Sequence, residues 1–356
     1  MRADLGDRVA GTMAGRPTRP DPRWRVATDG APGEMLAGCL VAAVAAPSLH
    51  NSQPWRFEPH DGGVDVLADR DRQLPVTDPA GRELTMSVGA AVFNLRVAVL
   101  AHGRLPLLTL LPDPGRPDLL ARLTFGPRVA SDATVRLLHQ AIPRRHSNRR
   151  PFREIPVPPP VLAELVAAAR AEHGLLTALS GPVRDRVLDL VRTGERQRRN
   201  DPEYWIELDR WTREAPGRRD GIPPAAFGPW PTLRRVPVRD FGLLRVTPRR
   251  GVREFEHEPV VVVLHSFGDR PRDWLRSGMA LQRVLLTATV RGLASTLMTQ
   301  PLELPRLRAG LSDTGGHTAQ AIIRIGYGPP STPTPRRSLA EVLAHAGPGS
   351  TAPAAG

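Results

Sequence analysis

An α+β fold is what this sequence predicts, from three observations. A hairpin signal stands near the start, where Asp61-Gly62-Gly63 separates two strand-like runs. Further strand-like runs follow among helical ones, including four consecutive valines at 260–263. Two long helical stretches, far apart in the chain, carry glycines at one spacing: Gly89 to Gly103 and Gly278 to Gly292 each span fourteen positions. Glycine inside a helix costs about 1 kcal/mol relative to alanine, so Gly89 and Gly278 point to close approach by another backbone. The shared spacing suggests an internal repeat, although two amphipathic helices can also share it by chance.

Taken in order, residues 1–33 lack apolar periodicity and are expected to form a flexible tail. Glu34–Ala46 reads as a helix ended by Pro47, and Trp55–Pro59 and Val64–Ala68 as the hairpin. Asp78-Pro79 is expected to open the first long helix, the acid as N-cap and the proline at its first position. Leu84, Val88, Ala91, Leu95 and Val99 then mark one face of it. Leu107–Leu111 and Leu120–Phe125 read as strands, and Thr134–Ile142 as a helix. Beyond a proline-rich joint come helix Val161–Arg170, strand Leu175–Leu179 and helix Val183–Arg198. Residues 195–250 are irregular and rich in Pro, Gly and Trp, as a lid or binding insertion would be. Strand Pro259–Phe267, helix Asp273–Gly292 and strand Ala319–Gly326 complete the pattern, and 347–356 form a second small tail.

With 356 residues the chain can bury a substantial core without disulfides or metals. Its single cysteine, Cys39, lies in an apolar run and reads as a small buried hydrophobe. No signal-peptide pattern is visible, and the runs Leu36–Ala46 and Val260–Leu264 are too short to span a bilayer, so a cytoplasmic protein without membrane contact is expected. The formal charge is +13, and every basic residue other than histidine is arginine. These arginines are spread along the chain without interleaved aromatics, so a solvated surface with a few phosphate contacts is favoured over nucleic-acid binding. Ten scattered histidines without a His-x-x-x-His pair or cysteine partners give no metal site. No glycine-rich dinucleotide loop, Walker loop or Gly-x-Ser-x-Gly elbow is found.

Three segments carry candidate chemistry. Pro47-Ser48-Leu49-His50-Asn51-Ser52-Gln53-Pro54-Trp55 is a polar loop between a helix and a strand, placed to present donors. Arg145-His146-Ser147-Asn148-Arg149 sets two guanidinium groups around a hydroxyl, which suits an anion. On residue chemistry alone a solvated basic linker explains that run equally well. Gly292-Leu293 leading to Pro301-Leu302-Glu303 is an ordinary helix-to-loop transition unless it serves a ligand.

The first segment resembles the Pro-Ser-x-x-Asn-x-Gln-Pro-Trp loop of the nitroreductase superfamily of flavin mononucleotide (FMN) enzymes, and the other segments resemble further parts of that family's site. By position, the resemblance implies that Arg145 and Ser147 meet the FMN phosphate and Arg149 the flavin N1/O2 edge. It implies that Pro301 and Glu303 lie against the ring near N5, with Leu304 where the family has glycine. Arg336, with Arg337 as the fallback, matches the closing phosphate arginine. Ser48, Leu49, Asn51 and Gln53 match the loop that one subunit extends to the flavin of the other.

Because that loop occurs only before residue 140 and the other parts only after it, the arrangement resembles the Acg-type branch: two fused nitroreductase-like halves, 34–130 and 131–346. Each half is expected to hold a mainly antiparallel sheet flanked by helices, with the long helices packed at the pseudo-dimer interface and one FMN between the halves. The implied activity is hydride transfer from NAD(P)H through flavin N5 to a small nitroaromatic- or quinone-like acceptor, with no side-chain catalyst needed. A fused chain of this kind is expected to be a monomer or a weak homodimer. The alternatives are an FMN-sequestering protein whose insertion covers the flavin, and a charge-driven binder of nucleic acid or acidic partners.

Overall fold

The computed structural model describes residues 32–232, 236–242, 250–313 and 315–343. The two expected tails lie outside them, apart from Pro32 and Gly33. The chain begins with α1 (Pro32–Val44), the hairpin β1 (Trp55–His60) and β2 (Gly63–Ala68), α2 (Arg82–Ala101), β3 (Arg104–Leu110) and β4 (Leu119–Arg128). It continues through α3 (Ala133–Ala141), α4 (Pro159–Arg170), β5 (Leu175–Leu179), α5 (Gly181–Arg199) and α6 (Pro202–Thr212). Short β6 (Trp230–Pro231) and β7 (Val252–Arg253) precede β8 (Val260–Ser266), α7 (Pro271–Val290) and β9 (Ala294–Leu297). The last elements are α8 (Pro305–Ala309), β10 (Thr318–Gly326) and α9 (Leu339–Val342).

Two four-stranded antiparallel sheets result, ordered β1-β2-β4-β3 and β5-β8-β10-β9. Numbered within themselves, both run first-second-fourth-third. Strand β8 is buried at every position but its first, as its run of valines requires. The first sheet packs on α1 and α2, with Trp55, Phe57, Val64 and Leu123 fully buried. The second packs on α4 and α7 around Leu264, Val284 and Ile323.

The two cores meet where α2 crosses α7. A Cβ added to Gly89 would stand 2.2 Å from the Leu275 carbonyl oxygen, and one added to Gly278 would stand 2.0 Å from that of Met86. Each glycine therefore admits the backbone of the other helix three residues before its counterpart glycine. Buried polar contacts stitch the same region, with Gln282 Nε2 donating to Asn94 Oδ1 at 2.7 Å and Asn94 Nδ2 to the Ala42 carbonyl at 2.9 Å. Helix α2 is long and apolar enough to cross a membrane by length and composition, yet 83% of its apolar window is buried inside the fold. Expecting only short apolar runs overlooked it, because Thr85, Ser87, Asn94 and Arg96 break its apolar residues into short runs.

Most expected elements recur within a few residues, and three expectations need correction. Helix α2 starts at Arg82, not at Asp78-Pro79, because Gly81 at φ 70° breaks the chain direction just before it. Asp78 still serves the helix end, accepting from the Leu84 N–H at 2.8 Å. The insertion is not wholly irregular either. Asp201 accepts from the Glu203 and Tyr204 N–H groups, Pro202 follows, and α6 carries Tyr204 and Trp211 inward. Strand β9 was unforeseen, since it is only four residues long. Cys39 is fully buried, and desolvation pushes its thiol up to about 12, as befits an inert core residue.

Candidate functional site

After α1 stops, the chain turns through three non-glycine residues in the left-handed region: His50 (φ 51°), Asn51 (φ 56°) and Gln53 (φ 52°). Such conformations cost of order 1 kcal/mol each and persist only where surrounding bonds fix them. Here the bonds are plain. Gln53 N–H donates to Ser48 Oγ at 2.9 Å. Asn51 Nδ2 donates to the carbonyls of Gly221 (2.9 Å) and Pro335 (3.0 Å). Gln53 Nε2 donates to the Arg219 carbonyl at 2.9 Å, and Gln53 Oε1 accepts from Arg337 N–H at 2.8 Å. The loop is thus locked to the insertion on one side and to the C-terminal segment on the other.

Against this loop stand three arginines without a carboxylate partner among the described residues. Arg145, delivered by the turn after α3, is 3% exposed; its Nη2 donates to the Ala45 carbonyl at 3.3 Å and its Nε has no partner. Arg336 sends Nη2 toward the same carbonyl at 3.4 Å and Nη1 to Asn51 Oδ1 at 2.9 Å, and its Nε is also unpaired. Desolvation pushes Arg145 down to about 10, while desolvation and then the charge of Arg145 push Arg336 down to about 9. Arg149 donates to the Ala226 carbonyl at 2.9 Å and lies 4.8 Å from the centre of the Phe241 ring. Burial, followed by Arg239 and Arg250, lowers it to about 10. Like charges crowded together and stripped of water call for an anion. His146 between them is pushed down to about 4 by burial and then by Arg145 and Arg336, so it adds no charge at neutral pH.

The Pro301–Glu303 turn has a different environment. The Glu303 side chain is fully buried and pairs with Arg239 of the insertion, with Arg198 of α5 at 3.4 Å. Arg239 also donates to Thr299 Oγ1 at 2.9 Å and to Tyr204 Oη at 2.5 Å. Burial alone would lower Arg239, but Glu303, Tyr204 and Glu195 outweigh it and hold its charge firmly. This network clamps the insertion onto the turn.

One pocket gathers most of these groups and leaves about 1160 Å³ of space between its walls, part of it continuous with solvent. Of the eleven site residues expected from sequence, Ser48, Leu49, Asn51, Arg145, Ser147, Arg149 and Arg336 line it. Gln53, Pro301, Glu303 and Arg337 do not; they stand behind the wall. Gln53 and Arg337 brace the loop, and Glu303 braces Arg239, which does line the pocket. Sequence reasoning missed Glu83, His50, Arg239 and Phe241, all of which line it. His50 stood in plain view inside the loop, whereas Glu83 and Phe241 carry no local pattern and reach the pocket only through tertiary packing. The wall is drawn from residues 47–90 on one side and 145–336 on the other.

FMN suits these walls. A phosphate group fits beside Arg145 and Arg336 with their two bare Nε groups, and a planar ring fits between Arg149 and the apolar surface of Leu49, Met86, Ile222 and Phe241. An α+β protein with a buried anion site at the seam of two sheets is the class defined here. No family model matches the chain. Among curated proteins it is 34% identical over 318 residues to "Putative NAD(P)H nitroreductase acg" of Mycobacterium tuberculosis, covering 87% of this chain and 95% of that one. It is equally similar to "Putative NAD(P)H nitroreductase Rv3131" of the same organism, covering 87% and 91%. Solved structures with a likeness include the FMN- and NADPH-dependent nitroreductase NfnB of a Sphigopyxis strain (21% identity, 59% of this chain and 99% of that one, TM-score 0.37). Another is a Bacteroides fragilis nitroreductase with bound FMN (14% identity, 60% and 98%, TM-score 0.32). The chain belongs to the nitroreductase family, in the branch that includes Acg.

Proposed function

We propose that this protein is an FMN-dependent oxidoreductase of nitroreductase type, with one FMN shared between two halves of the chain. The observation that carries this reading is the Arg145–Arg336 pair, desolvated over one carbonyl with no carboxylate partner among the described residues and lining the same pocket as the Ser48–Asn51 loop. Arg145, Ser147 and Arg336 would hold the phosphate, with Ser48 and Asn51 closing over it. Arg149 would face the pyrimidine edge, where a fixed cation favours the reduced, anionic ring. Pro301 and Glu303 would support the ring from behind, and Gln53 and Arg337 would keep the loop in register. The names of the relatives support NAD(P)H as reductant. When bound, FMN supplies hydride acceptance and donation at N5. The chain's own work is to bind, orient and neutralise charge, and a small nitroaromatic or quinone is the acceptor class.

The duplication belongs to the same proposal. The common first-second-fourth-third strand order and the reciprocal glycine contacts of α2 and α7 favour two diverged halves, about 34–130 and 131–346. A second reading, sequestration of FMN with little turnover, is favoured by the Arg239–Glu303–Arg198 clamp, which holds the insertion against the pocket.

Purification followed by anaerobic mixing with NADPH tests both. The expected outcome is a yellow protein that releases one FMN per chain on denaturation and bleaches promptly with NADPH. A colourless protein that FMN cannot reconstitute would overturn the flavin reading. Persistent colour that only dithionite removes would favour sequestration.

A further inference from the structure

The pocket wall holds several arginines but one carboxyl group, Glu83, in the first turn of α2. Arg239 and Arg324, which also line it, are neutralised by Glu303 and Glu256 behind the wall. Glu83 is 9% exposed and pairs through Oε1 with Arg82. That arginine is shared, since its other nitrogen donates to the Gln320 carbonyl (3.0 Å) and to Gln320 Oε1 (3.1 Å). Glu83 Oε2 makes no hydrogen bond with the described residues, and Glu83 lines the pocket. One turn further along α2, Ser87 lines the same wall with its hydroxyl donating back to the Glu83 carbonyl at 2.7 Å.

We propose that Glu83 is the proton-holding group of this pocket, protonated from solvent as the bound cofactor is reduced and giving that proton to an oxygen of the acceptor. The inference rests on the flavin reading above. Charge logic supports it. Burial raises Glu83, Arg82 opposes that, and Glu303 adds to it; Arg308 of α8 lowers it, and Asp78 is the other carboxyl nearby. A carboxyl so placed is poised to take a proton when further negative charge enters the pocket. In the acceptor step a quinone takes a hydride from the reduced cofactor and the proton from Glu83. The products are the hydroquinone, the oxidised cofactor and the Glu83 carboxylate, which is reprotonated from solvent in the next reduction.

Potentiometric titration of the FMN-loaded protein between pH 6 and 8 tests this without turnover. Beside a cation, reduction of the flavin alone takes up one proton per two electrons, and Glu83 adds a second. The wild-type midpoint potential should therefore fall by one further tenfold in equilibrium constant per pH unit, about 30 mV for a two-electron couple. Glu83→Gln should lose that extra slope, while Glu83→Asp keeps it. A wild-type slope of one proton, or an unchanged slope in Glu83→Gln, overturns the proposal. Failure of the wild type to hold FMN would instead overturn the flavin reading on which it rests.

Discussion

Arg145 and Arg336 concentrate like charge at the pocket wall. Two guanidinium groups converge on the Ala45 carbonyl, and each keeps an Nε without a partner. Any anion that enters relieves this, so FMN, and inorganic phosphate more weakly, should raise the melting temperature. At a hundredfold excess over Kd the gain is about 2.7 kcal/mol. Arg145→Ala should weaken FMN binding by about 2–3 kcal/mol, the range of a charge-assisted bond, and shrink that thermal gain. Calorimetric titration alongside thermal melts measures both; equal FMN affinity in the variant would remove Arg145 from the site. At this scale the sequence was partly legible. The spacing of Arg145, Ser147 and Arg149 suited an anion, but only the resemblance to nitroreductases favoured a site there over a solvated basic linker, and the same resemblance drew out the loop. Glu83 and Phe241 carried no such signal, because their roles arise from which helix face and which insertion the fold turns inward.

At the scale of elements, the α2–α7 crossing is the most exacting contact. Gly278→Ala would place a methyl 2.0 Å from a backbone carbonyl that cannot swing aside. Despite the gain of about 1 kcal/mol in helix propensity, net destabilisation of about 2 kcal/mol is expected, read as a lower denaturant midpoint. An unchanged midpoint would mean that the helices can part without cost. These glycines were legible in the sequence as sites of close approach, because a mid-helix glycine needs a reason. The start of α2 was not. Asp78-Pro79 has the chemistry of a helix start, but left-handed Gly81 delays it by one turn. Helix α6 hid within a proline-rich stretch although Asp201-Pro202 is a sound start signal, since the tryptophans and prolines around it masked its apolar face.

Over the whole molecule, the pocket belongs to no single segment. Ser48 and Arg145 lie 97 positions apart in the chain and line the same cavity. Ser48→Ala should therefore lower FMN affinity severalfold, about 1 kcal/mol for a hydroxyl bond, in the same binding assay that registers Arg145→Ala. Indifference of FMN binding to Ser48→Ala would confine the site to the later part of the chain. Ion pairs such as Arg122–Asp65 and Arg291–Glu164 join one charge of each sign and leave the +13 formal charge unchanged; part of that excess is concentrated at the pocket, in Arg145, Arg149 and Arg336.

The position of Arg336 has a consequence for biosynthesis. The segment that carries it follows β10, the last strand among the described residues, and is pinned by Asn51 and Gln53 from much earlier in the chain. During translation the two sheets and the α2–α7 crossing can be assembled before this segment leaves the ribosome, but the anion site cannot. On the proposed reading, capture of the cofactor phosphate would wait until Arg336 has been synthesised and has met the Asn51 loop.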